Sequence, residues 1–422
     1  MRIAVVGAGI SGLCAAYYLR HSHDVTVFEA NDYAGGHTNT IDLKGTASLA
    51  IDTGFIVFNE RTYPNFCRLL DELQVTSQPS DMSFSVRCDR SGLEYAGTGL
   101  NGLLAQRRNL LRPAFWRLIR DWRRFARESQ ELLQNSRESL TVRDYFREHL
   151  YSSEFREQYF LPMGSAVWSC PHDRLEEFPM RFIVQFYHQH GLLTLDDPPQ
   201  WRVIRGGSKR YVQALLERLP RPIELRSQIR QVERESDGVR LHFGDGYSKL
   251  FDHVVMACHA DQSLQLLGGG ATPAEREVLS AFPYEANTAV LHTDTSVLPR
   301  SRRAWASWNY RIPREPEGKA TVTYNMNRLQ GLSAREVYCV SLNEVQHIDP
   351  RHVLRVIQYH HPVFSLSRAA AQHRHRELIN LDGVSYCGAY WGNGFHEDGV
   401  SSALEVCRVL QQIPQHASTV LR

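Results

Sequence analysis

The sequence predicts an α/β fold, and three consecutive stretches at its start support this prediction. Residues 2–6 form a short apolar run that is typical of a buried strand. Residues 14–20 continue as an apolar, alanine-rich helix, and residues 23–29 form a second strand that ends in an acid. A strand, a helix and a further strand in this order are typical of the β-α-β unit of a parallel sheet.

The turn between the first strand and the helix has a glycine spacing with a mechanical explanation. Gly7, Gly9 and Gly12 follow the G-x-G-x-x-G pattern. Gly7 permits the tight turn, Gly9 lets a pyrophosphate approach the backbone, and Gly12 lets helix and strand pack closely. Glu29 can accept hydrogen bonds from an unphosphorylated adenosine ribose. Because the pattern follows a strand, opens a helix and has its acid at the expected distance, it predicts a dinucleotide site rather than a turn without a ligand.

Composition limits the other classes of protein. With 422 residues the chain can hold about two to three domains. Its net charge is +2, so no nucleic-acid partner is predicted. The eight cysteines include no C-x-x-C pair, which is typical of reduced thiols in a cytoplasmic protein. The first residues enter a strand directly and no run of about 18 apolar residues occurs, so neither a signal peptide nor a transmembrane helix is predicted.

Two further chemistries have no support in the sequence. The paired histidines near positions 188, 360 and 373 lack the regular spacing of metal ligands, so no metal site is predicted. No G-x-S-x-G motif is present, so acyl transfer is not predicted.

A second glycine pair points to a family. Gly35 and Gly36 follow Glu29 closely and allow the backbone to pass near a ligand. Together with the first glycine motif they resemble the FAD-binding half of the flavin amine oxidase superfamily, which includes amine oxidases, protoporphyrinogen oxidase and the carotenoid desaturases. The resemblance implies an FAD cofactor and a Rossmann-like domain of the glutathione-reductase type. Members usually have Gly-Gly-Arg, whereas this chain has His37, which either contacts the cofactor with a shorter reach or is a loop histidine without a ligand.

Two later stretches resemble the same superfamily. Arg205-Gly-Gly-Ser208 and the helix after it resemble the second Gly-Gly turn of the group. Strands over 238–243 and 252–257 would complete a small sheet. The resemblance implies that Ile229 presents its backbone to the adenine, although a simple core position in a strand is equally open.

The C-terminal part resembles the flavin end of the superfamily's site. A helix predicted over 400–412 would point its N-terminus at the flavin pyrimidine ring. There the N–H groups of Gly399 and Val400 and the helix dipole would stabilise negative charge on reduced flavin. The superfamily usually has an acid after the glycine at Gly388, and this chain has Ala389 instead.

The loop before this helix supplies the candidates for catalysis. Glu397 or Asp398 could replace the missing acid or cap the helix. His396 precedes them and could act as acid or base near the flavin N5 atom. Tyr390 and Trp391 could form the aromatic pair that amine oxidases of this group build beside the flavin, although packing of the loop is equally open. The predicted catalytic residues are therefore His396, Tyr390 and Trp391.

The residues predicted to hold FAD come from three parts of the chain. They are Gly7, Gly9, Ile10, Ser11, Gly12, Glu29, Ala30, Gly35, Gly36, His37, Thr38, Ile229, Gly388, Gly399 and Val400. The FAD-binding domain is accordingly predicted to be discontinuous, over 1–83, 200–281 and 380–422. An α+β substrate-binding domain would occupy 84–199 and 282–379. Within it, residues 84–150 and 349–359 are predicted to be helical.

Residues 107–127 form a basic, aromatic segment. Phe115, Leu118, Trp122 and Phe125 recur at helical spacing, and eight arginines lie in the same segment. A basic amphipathic helix of this kind can lie on an anionic membrane, which predicts a cytoplasmic protein that is peripheral on the inner membrane face. The alternative is a helix that packs its apolar stripe into the core and exposes its arginines.

Residues 395–399 most resemble a bacterial subgroup of FAD-binding oxidoreductases associated with cyclopropane or modified fatty-acid synthesis. This resemblance implies desaturation of an apolar, lipid-like substrate, such as a fatty-acyl chain, by hydride transfer to flavin N5. An amine oxidase is the first alternative, but such enzymes often carry a lysine where this chain has Asn287, and the nearest lysine is Lys319. A flavoprotein isomerase or a non-catalytic FAD-binding protein is the second. The sequence predicts neither the electron acceptor nor the oligomeric state.

Overall fold

A parallel sheet contains the N-terminus of the chain. The computed structural model describes residues 1–43, 49–134, 140–193, 199–315 and 318–412. The four parallel strands have the order β19-β13-β1-β2. They are β1 (Arg2–Val6), β2 (Asp24–Phe28), β13 (His253–Met256) and β19 (Val384–Tyr386). Both β1 and β2 are buried after their first residue, because helices and a second sheet cover the two faces. The α/β class predicted from these strands is confirmed.

Two helices cover one face of this sheet. Helix α1 (Ile10–Leu19) is apolar on all sides and nearly every residue of it is buried. Helix α16 (His396–Gln411) packs against α1, and Val400 and Leu410 of α16 lie in the same core as Leu13 of α1. A helix without a polar face needs cover all around, so the N- and C-terminal ends of the described chain pack together.

A three-stranded antiparallel sheet covers the other face. Its strands are β10 (Ile229–Glu235), β11 (Gly238–Phe243) and β12 (Ser248–Phe251). Val232 and Leu241 of this sheet pack against Phe28 and Val254 of the parallel sheet. This parallel sheet with an antiparallel cover is the arrangement expected of a glutathione-reductase-type, Rossmann-like domain.

A seven-stranded mixed sheet forms the second large layer, in the order β18-β14-β17-β16-β15-β7-β8. Only the β15–β7 pair is parallel among these described strands. The strands are β7 (Phe84–Cys88), β8 (Leu93–Ala96), β14 (Tyr284–His292), β15 (Trp308–Ile312), β16 (Val322–Asn325), β17 (Cys339–Leu342) and β18 (Val353–Pro362).

Two helices predicted from the sequence are wrong at this sheet. The prediction of helix over 84–150 fails at its start, because β7 and β8 form a hairpin there before the helices begin. The helix predicted over 349–359 is instead strand β18, which pairs with β14 along nearly its whole length. Half of the residues of β18 are exposed and only Tyr359 is buried, so its side chains lack the buried pattern of an interior strand, and long-range pairing determines its conformation.

The remaining strands form two small sheets. These are β3 (Thr40–Leu43) with β4 (Leu49–Asp52), and β9 (Trp201–Ile204) between β5 (Phe58–Asn59) and β6 (Ser77–Pro79).

The other α-helices are α2 (Pro64–Leu73), α3 (Leu100–Leu103), α4 (Pro113–Glu128), α5 (Glu131–Gln134), α6 (Val142–His149), α7 (Ser153–Phe155), α8 (Leu161–Trp168), α9 (His172–Leu175), α10 (Met180–Gln189), α11 (Lys209–Arg218), α12 (Ala260–Leu267), α13 (Pro273–Leu279), α14 (Met326–Leu329) and α15 (Leu366–Gln372). A π-helical turn, Arg156–Phe160, joins α7 to α8. Short 3₁₀ turns span Arg107–Leu111, Gly268–Gly270, Arg302–Ala304, Val345–His347, Pro350–His352, His375–Leu378 and Ala389–Trp391.

The helices between α4 and α10 surround an aromatic core. It contains Phe125, Tyr145, Phe155, Phe160 and Tyr187, all of which are almost fully buried. In the part of the chain that the structure describes, no helix combines the length and the apolar character that crossing a bilayer requires.

Candidate cofactor site and active site

The first glycine turn has the geometry that a dinucleotide site requires. Gly7 has a φ of +109°, a conformation that favours glycine. A side chain at Gly12 would overlap the carbonyl oxygen of Gly7, so this glycine permits close packing of helix on strand. A side chain at Gly9 would meet no atom within 4 Å. The backbone at Gly9 is therefore open, as a bound pyrophosphate would need.

The second glycine pair lies directly on the first turn. The Gly35 N–H donates a hydrogen bond of 2.8 Å to the Ala8 carbonyl oxygen. A Cβ atom added at Gly36 would lie 3.2 Å from the Cα of Gly9, and Gly36 has a φ of +59°. The structure thus brings Gly9 together with Gly35 and Gly36, which lie beyond α1 and β2 in the sequence.

Glu29 is held in one orientation at the carboxyl end of β2. Its Oε2 accepts a hydrogen bond of 2.8 Å from the Ala8 N–H, and its Oε1 accepts from the Asn31 backbone and side chain. Ala30, the next residue, is exposed. At the other predicted adenine contact, the Ile229 N–H donates to the Ser227 carbonyl oxygen at 3.0 Å.

His37 lies among other aromatic side chains where relatives of the resembled superfamily have arginine. Its ring centroid is 5.0 Å from Tyr359, 5.5 Å from His361 and 6.0 Å from His259. Its Nε2 is buried and has no hydrogen-bond partner among the described residues. Burial and the neighbouring His259 lower the pKa of His37 to about 4, so its imidazole is neutral at pH 7.

The N-terminus of α16 meets the N-terminus of α1. A Cβ atom added at Gly399 would lie 2.8 Å from the Ser11 Oγ and 2.9 Å from the Ile10 Cγ2. Val400 is fully buried beside them. Two helix N-termini at one place concentrate unpaired N–H groups and positive dipole ends, which favours binding of an anionic cofactor there.

His396 is a buried hydrogen-bonding residue in the first turn of α16. The sequence placed it before the helix, but the helix begins at His396 itself. Its Nε2 lies 2.9 Å from the Thr38 Oγ1 and 3.1 Å from the Tyr211 hydroxyl, and its ring stacks on Phe55 at 3.5 Å. Burial, reinforced by His37, lowers the pKa of His396 well below its usual value. Thr38 is predicted to contact FAD, and in this structure its hydroxyl is engaged in the hydrogen bond with His396.

The two acids after His396 have structural contacts. Glu397 accepts hydrogen bonds from the backbone N–H groups of Asn65 and Phe66, and so caps the N-terminus of α2. Asp398 accepts the Phe395 N–H at 2.8 Å, which caps α16. Burial raises the pKa of Asp398 to about 6. The predicted capping function of Asp398 is present, from inside the first turn rather than from the N-cap position.

Tyr390 and Trp391 pack inside the protein. Both rings contact Phe282, and both belong to the core beside the parallel sheet. The carbonyl oxygens of Tyr390 and Gly392 each accept hydrogen bonds from Arg368 and Gln372. The contacts of Tyr390 and Trp391 favour the packing interpretation over an aromatic pair beside the flavin.

Arg368 and Gln372 were missed by sequence analysis. Arg368 is 1% exposed and its guanidinium lies 3.4 Å from the Phe364 ring centroid. No motif in the sequence indicates that Arg368 is buried, because neighbouring residues of α15 are exposed. Phe55 and Tyr211, the partners of His396, were also missed, since nothing in their local sequence indicates a distant histidine.

The donor groups of this region fit FAD. An open glycine turn, an oriented acid and two helix N-termini match the phosphates and ribose of a dinucleotide. The unpartnered Nε2 of His37 offers one more polar contact beside the same turn.

This fold and site define a dinucleotide-dependent flavoprotein, and comparison with known proteins gives the family. Residues 10–411 match the family described as flavin containing amine oxidoreductase. The chain belongs to this family, is an FAD-dependent oxidoreductase, and has the Rossmann-like FAD-binding fold that the sequence predicts.

The individual relatives are distant. A Mycobacterium tuberculosis protein named as a flavin-containing monoamine oxidase, AofH, is 27% identical over 261 residues, which cover 58% of this chain and 54% of the relative. The chain thus spans about half the length of that curated relative. Two solved structures share the fold: a CLA-producing fatty acid isomerase from P. acnes (TM-score 0.66, 16% identity, 98% of both chains) and a cyclohexylamine oxidase from Brevibacterium oxydans (TM-score 0.65, 16% identity, 97% and 99%).

Proposed function

We propose that this oxidoreductase desaturates an apolar, lipid-like substrate such as a fatty-acyl chain. One observation carries the proposal. Phe395, the N-cap residue of α16, stacks on Phe186 of α10 at 5.2 Å and joins a continuous aromatic cluster. The cluster continues through Trp168 to Phe364. An aromatic core that reaches the first turn of α16 favours an apolar substrate over a charged one.

The residues of the chain have separate tasks in this proposal. Bound FAD supplies the acceptor for the hydride. Gly399 and Val400 lie at the pyrimidine end, and the dipole of α16 stabilises negative charge there, since the Gly399 N–H itself donates to the Phe395 carbonyl oxygen at 3.1 Å. His396 is neutral at pH 7, so it positions Thr38 and the helix start through hydrogen bonds rather than through a charge. The aromatic cluster orients the chain of the substrate and excludes water.

We propose the cofactor contacts on the same basis. Gly7, Gly9, Ile10, Ser11 and Gly12 hold the pyrophosphate, because they form the open turn and the start of α1. Glu29 binds the adenosine ribose with Ala30 beside it, and Ile229 lies near the adenine. The next contacts along the cofactor come from the second glycine turn, Gly35, Gly36, His37 and Thr38. The contacts at the flavin end come from Gly388, Gly399 and Val400. We keep the predicted division into two domains. The FAD-binding domain comprises residues 1–83, 200–281 and 380–422. The substrate-binding domain comprises residues 84–199 and 282–379.

The test is anaerobic reduction of the bound flavin. A fatty-acyl lipid with an allylic or methyl-branched position should bleach the flavin absorbance, and an amine should not. Phe395→Ala should slow this bleaching because it removes the end of the aromatic cluster at α16. Tyr247→Ala, at an exposed aromatic residue of the antiparallel sheet, is the matched control. Bleaching by an amine alone would reject the lipid proposal.

Amine oxidation is the second candidate, supported by the names of the relatives. The position where amine oxidases often have lysine is Asn287, whose Nδ2 lies 3.2 Å from the His361 Nδ1. Lys319, the nearest lysine in the sequence, donates from its Nζ to the Ala286 carbonyl oxygen beside Asn287. No bleaching by either substrate class would favour the third hypothesis, an isomerase or a non-catalytic flavoprotein.

We further propose that the protein is cytoplasmic and meets the inner membrane face through 107–127. The apolar stripe that motivated this prediction is core, because Phe115, Leu118 and Phe125 are buried. Other side chains support the contact instead: Leu111 is 87% exposed and Trp116 is 50% exposed.

The exposed face of α4 has the charge that an anionic membrane would attract. Arg120, Arg123 and Arg127 are exposed along the same side of the helix as Trp116. The acids of this helix are paired, buried Asp121 with Arg120 and partly exposed Glu128 with Arg124. An apolar tip beside a basic face is typical of a peripheral membrane contact.

Vesicle flotation tests this contact. The protein should float with phosphatidylglycerol vesicles at low salt, less at high salt, and not with phosphatidylcholine vesicles. Leu111→Ser combined with Trp116→Ser should reduce flotation, while Tyr247→Ser, at an exposed aromatic elsewhere, should not. Absence of flotation at low salt would reject the membrane proposal and leave the proposed chemistry intact.

A further inference from the structure

Four aromatic side chains from three segments of the chain meet beside the glycine turn, and we call them the histidine cluster: His37, His259, Tyr359 and His361. His37 stacks on Tyr359 and lies within 6.0 Å of both other histidines, measured between ring centroids. Tyr359 and His361 belong to β18 of the seven-stranded sheet, while His259 follows β13 of the parallel sheet. The cluster therefore bridges the two large sheets.

The backbone of the cluster borders the turn that a pyrophosphate would occupy. His37 follows Gly36, where an added Cβ atom would lie 3.2 Å from the Cα of Gly9. His259 follows residue 257, whose carbonyl oxygen would lie 2.9 Å from a Cβ atom at Gly7. Both histidines thus lie in connections that follow parallel strands, His37 after β2 and His259 after β13, on the side where ligands of such sheets bind.

We propose that His37, with His259 and His361 beside it, binds the pyrophosphate of FAD and takes up a proton when it does so. The Nε2 of His37 is buried without a partner among the described residues, so a ligand atom is its missing contact. Phosphate is an anion, and a protonated imidazole donates from both nitrogens. The proton comes from solvent, and its charge offsets part of the negative charge that FAD brings.

Electrostatics of the cluster agree with this inference. Burial and neighbouring histidines lower the pKa of His37 and His259 to about 4, and that of His361 to about 3. All three are therefore neutral without the cofactor at pH 7. An adjacent phosphate favours the charged form of one imidazole and raises its pKa. Repulsion between neighbouring rings limits the uptake to about one proton.

The groups that face His37 from the elements around it must be considered together. The groups beside His37 are His259, Tyr359, His360, His361 and His396. Three further groups act through these neighbours: Tyr284 stacks on His259, and Asp52 and Tyr33 raise the pKa of Tyr359. Burial raises the pKa of Tyr284 and Tyr359, so neither phenol is charged near neutral pH. Asp52 is not among the groups that shift the pKa of His37, and its carboxylate accepts hydrogen bonds from Ser208 and Gln330.

Linkage gives the sign of the effect. Because the proton is bound with FAD and not before it, the affinity for FAD falls as pH rises between the pKa without cofactor, about 4, and the higher pKa with cofactor. Within that window the Kd increases by up to about tenfold per pH unit for one proton. An arginine at this position is charged at every pH and would remove the dependence.

The experiment measures FAD release from the holoprotein by flavin fluorescence after dilution, from about pH 5 to about pH 8. Wild type should release FAD more readily as pH rises, and His37→Arg should bind FAD with a Kd that no longer changes with pH. His259→Gln should retain FAD with an altered pH profile. His242→Gln, at a histidine of the antiparallel sheet that pairs with Glu233, should behave as wild type.

Two results would overturn the inference. One is a wild-type Kd that is constant over this range, and the other is a pH dependence that persists in both His37→Arg and His259→Gln. If His37→Arg does not fold, the His259→Gln profile and the wild-type profile decide. These outcomes concern FAD release alone, so they are independent of which substrate reduces the flavin.

Discussion

Thr38 and His396, which are 358 positions apart, are joined by a contact of 2.9 Å between the threonine hydroxyl and the imidazole Nε2. The contact ties the second glycine turn to the first residue of α16. The phenol of Tyr211 lies 3.1 Å from the same nitrogen, so three segments share one buried polar site. An unpaired polar atom at this depth would be costly, so the three side chains depend on one another.

His396→Asn should leave FAD bound but slow flavin reduction by substrate, by about 100-fold if the start of α16 shifts by about 1 Å. Asparagine can replace one hydrogen bond but cannot stack on Phe55. Stopped-flow absorbance at the flavin band measures the rate. Because His396 is neutral in the native protein, the wild-type rate should show no inflection from this residue near pH 6.5. An unchanged rate in the variant would remove His396 from the active site.

Gly9→Ala and Gly12→Ala should have opposite consequences. Alanine at Gly12 would collide with the Gly7 carbonyl oxygen, so the variant should lose about 1–3 kcal/mol of unfolding free energy. Alanine at Gly9 meets nothing within 4 Å and should fold normally, but its methyl group would stand where the pyrophosphate approaches. Thermal unfolding and flavin fluorescence separate the two effects. Equal loss of stability in both variants would contradict the different functions assigned to the two glycines.

Glu397→Ala should reduce stability by about 1–2 kcal/mol, because the first N–H groups of α2 lose their carboxylate. Glu397→Gln, which keeps one acceptor oxygen, should lose less. Denaturant unfolding gives the free energies, and the flavin spectrum should be the same in both variants. A large loss of FAD from Glu397→Gln would instead support the hypothesis that this acid holds the cofactor.

Buried His253 should make the protein sensitive to acid. It is 2% exposed, its Nε2 contacts the Ser385 hydroxyl at 2.9 Å, and burial lowers its pKa from 6.5 to about 4. The unfolded chain therefore binds a proton at a higher pH than the folded chain, so stability falls as pH decreases from about 6.5 to about 4. Between pH 7 and pH 5 this one residue should cost about 2 kcal/mol.

Urea unfolding of wild type and His253→Gln at these two pH values checks this contribution. The variant should lose about 2 kcal/mol less than wild type on acidification. His242→Gln provides the comparison at an accessible histidine. Parallel losses in wild type and His253→Gln would show that His253 does not carry the effect.

Local sequence was sufficient to predict the geometry of the first glycine turn and the position of Glu29. Gly7, Gly12 and Glu29 act through contacts within one β-α-β unit, so their spacing alone determines their geometry. The prediction of helix is wrong at strand β7 and at the edge strand β18, because each of them pairs with a strand far along the chain.

Side-chain partners in the flavin part were beyond prediction for a related reason. His396 was a candidate from its position, but Thr38, Tyr211 and Phe55 become its neighbours only when separate elements pack. Arg368 is a buried cation in a short helix with many exposed residues, which the apolar pattern of a sequence cannot indicate. Its contacts with the loop before α16 require the tertiary structure.

The order of strands in the parallel sheet has a consequence for biosynthesis. Its edge strand, β19, arises only at Val384–Tyr386, and α16 follows it. A nascent chain on the ribosome therefore carries α1 without the cover of α16 until residues 396–411 have been made. Such late, long-range assembly slows folding and prolongs exposure of apolar surface. Chaperones that hold this early segment during translation would protect the yield of flavoprotein.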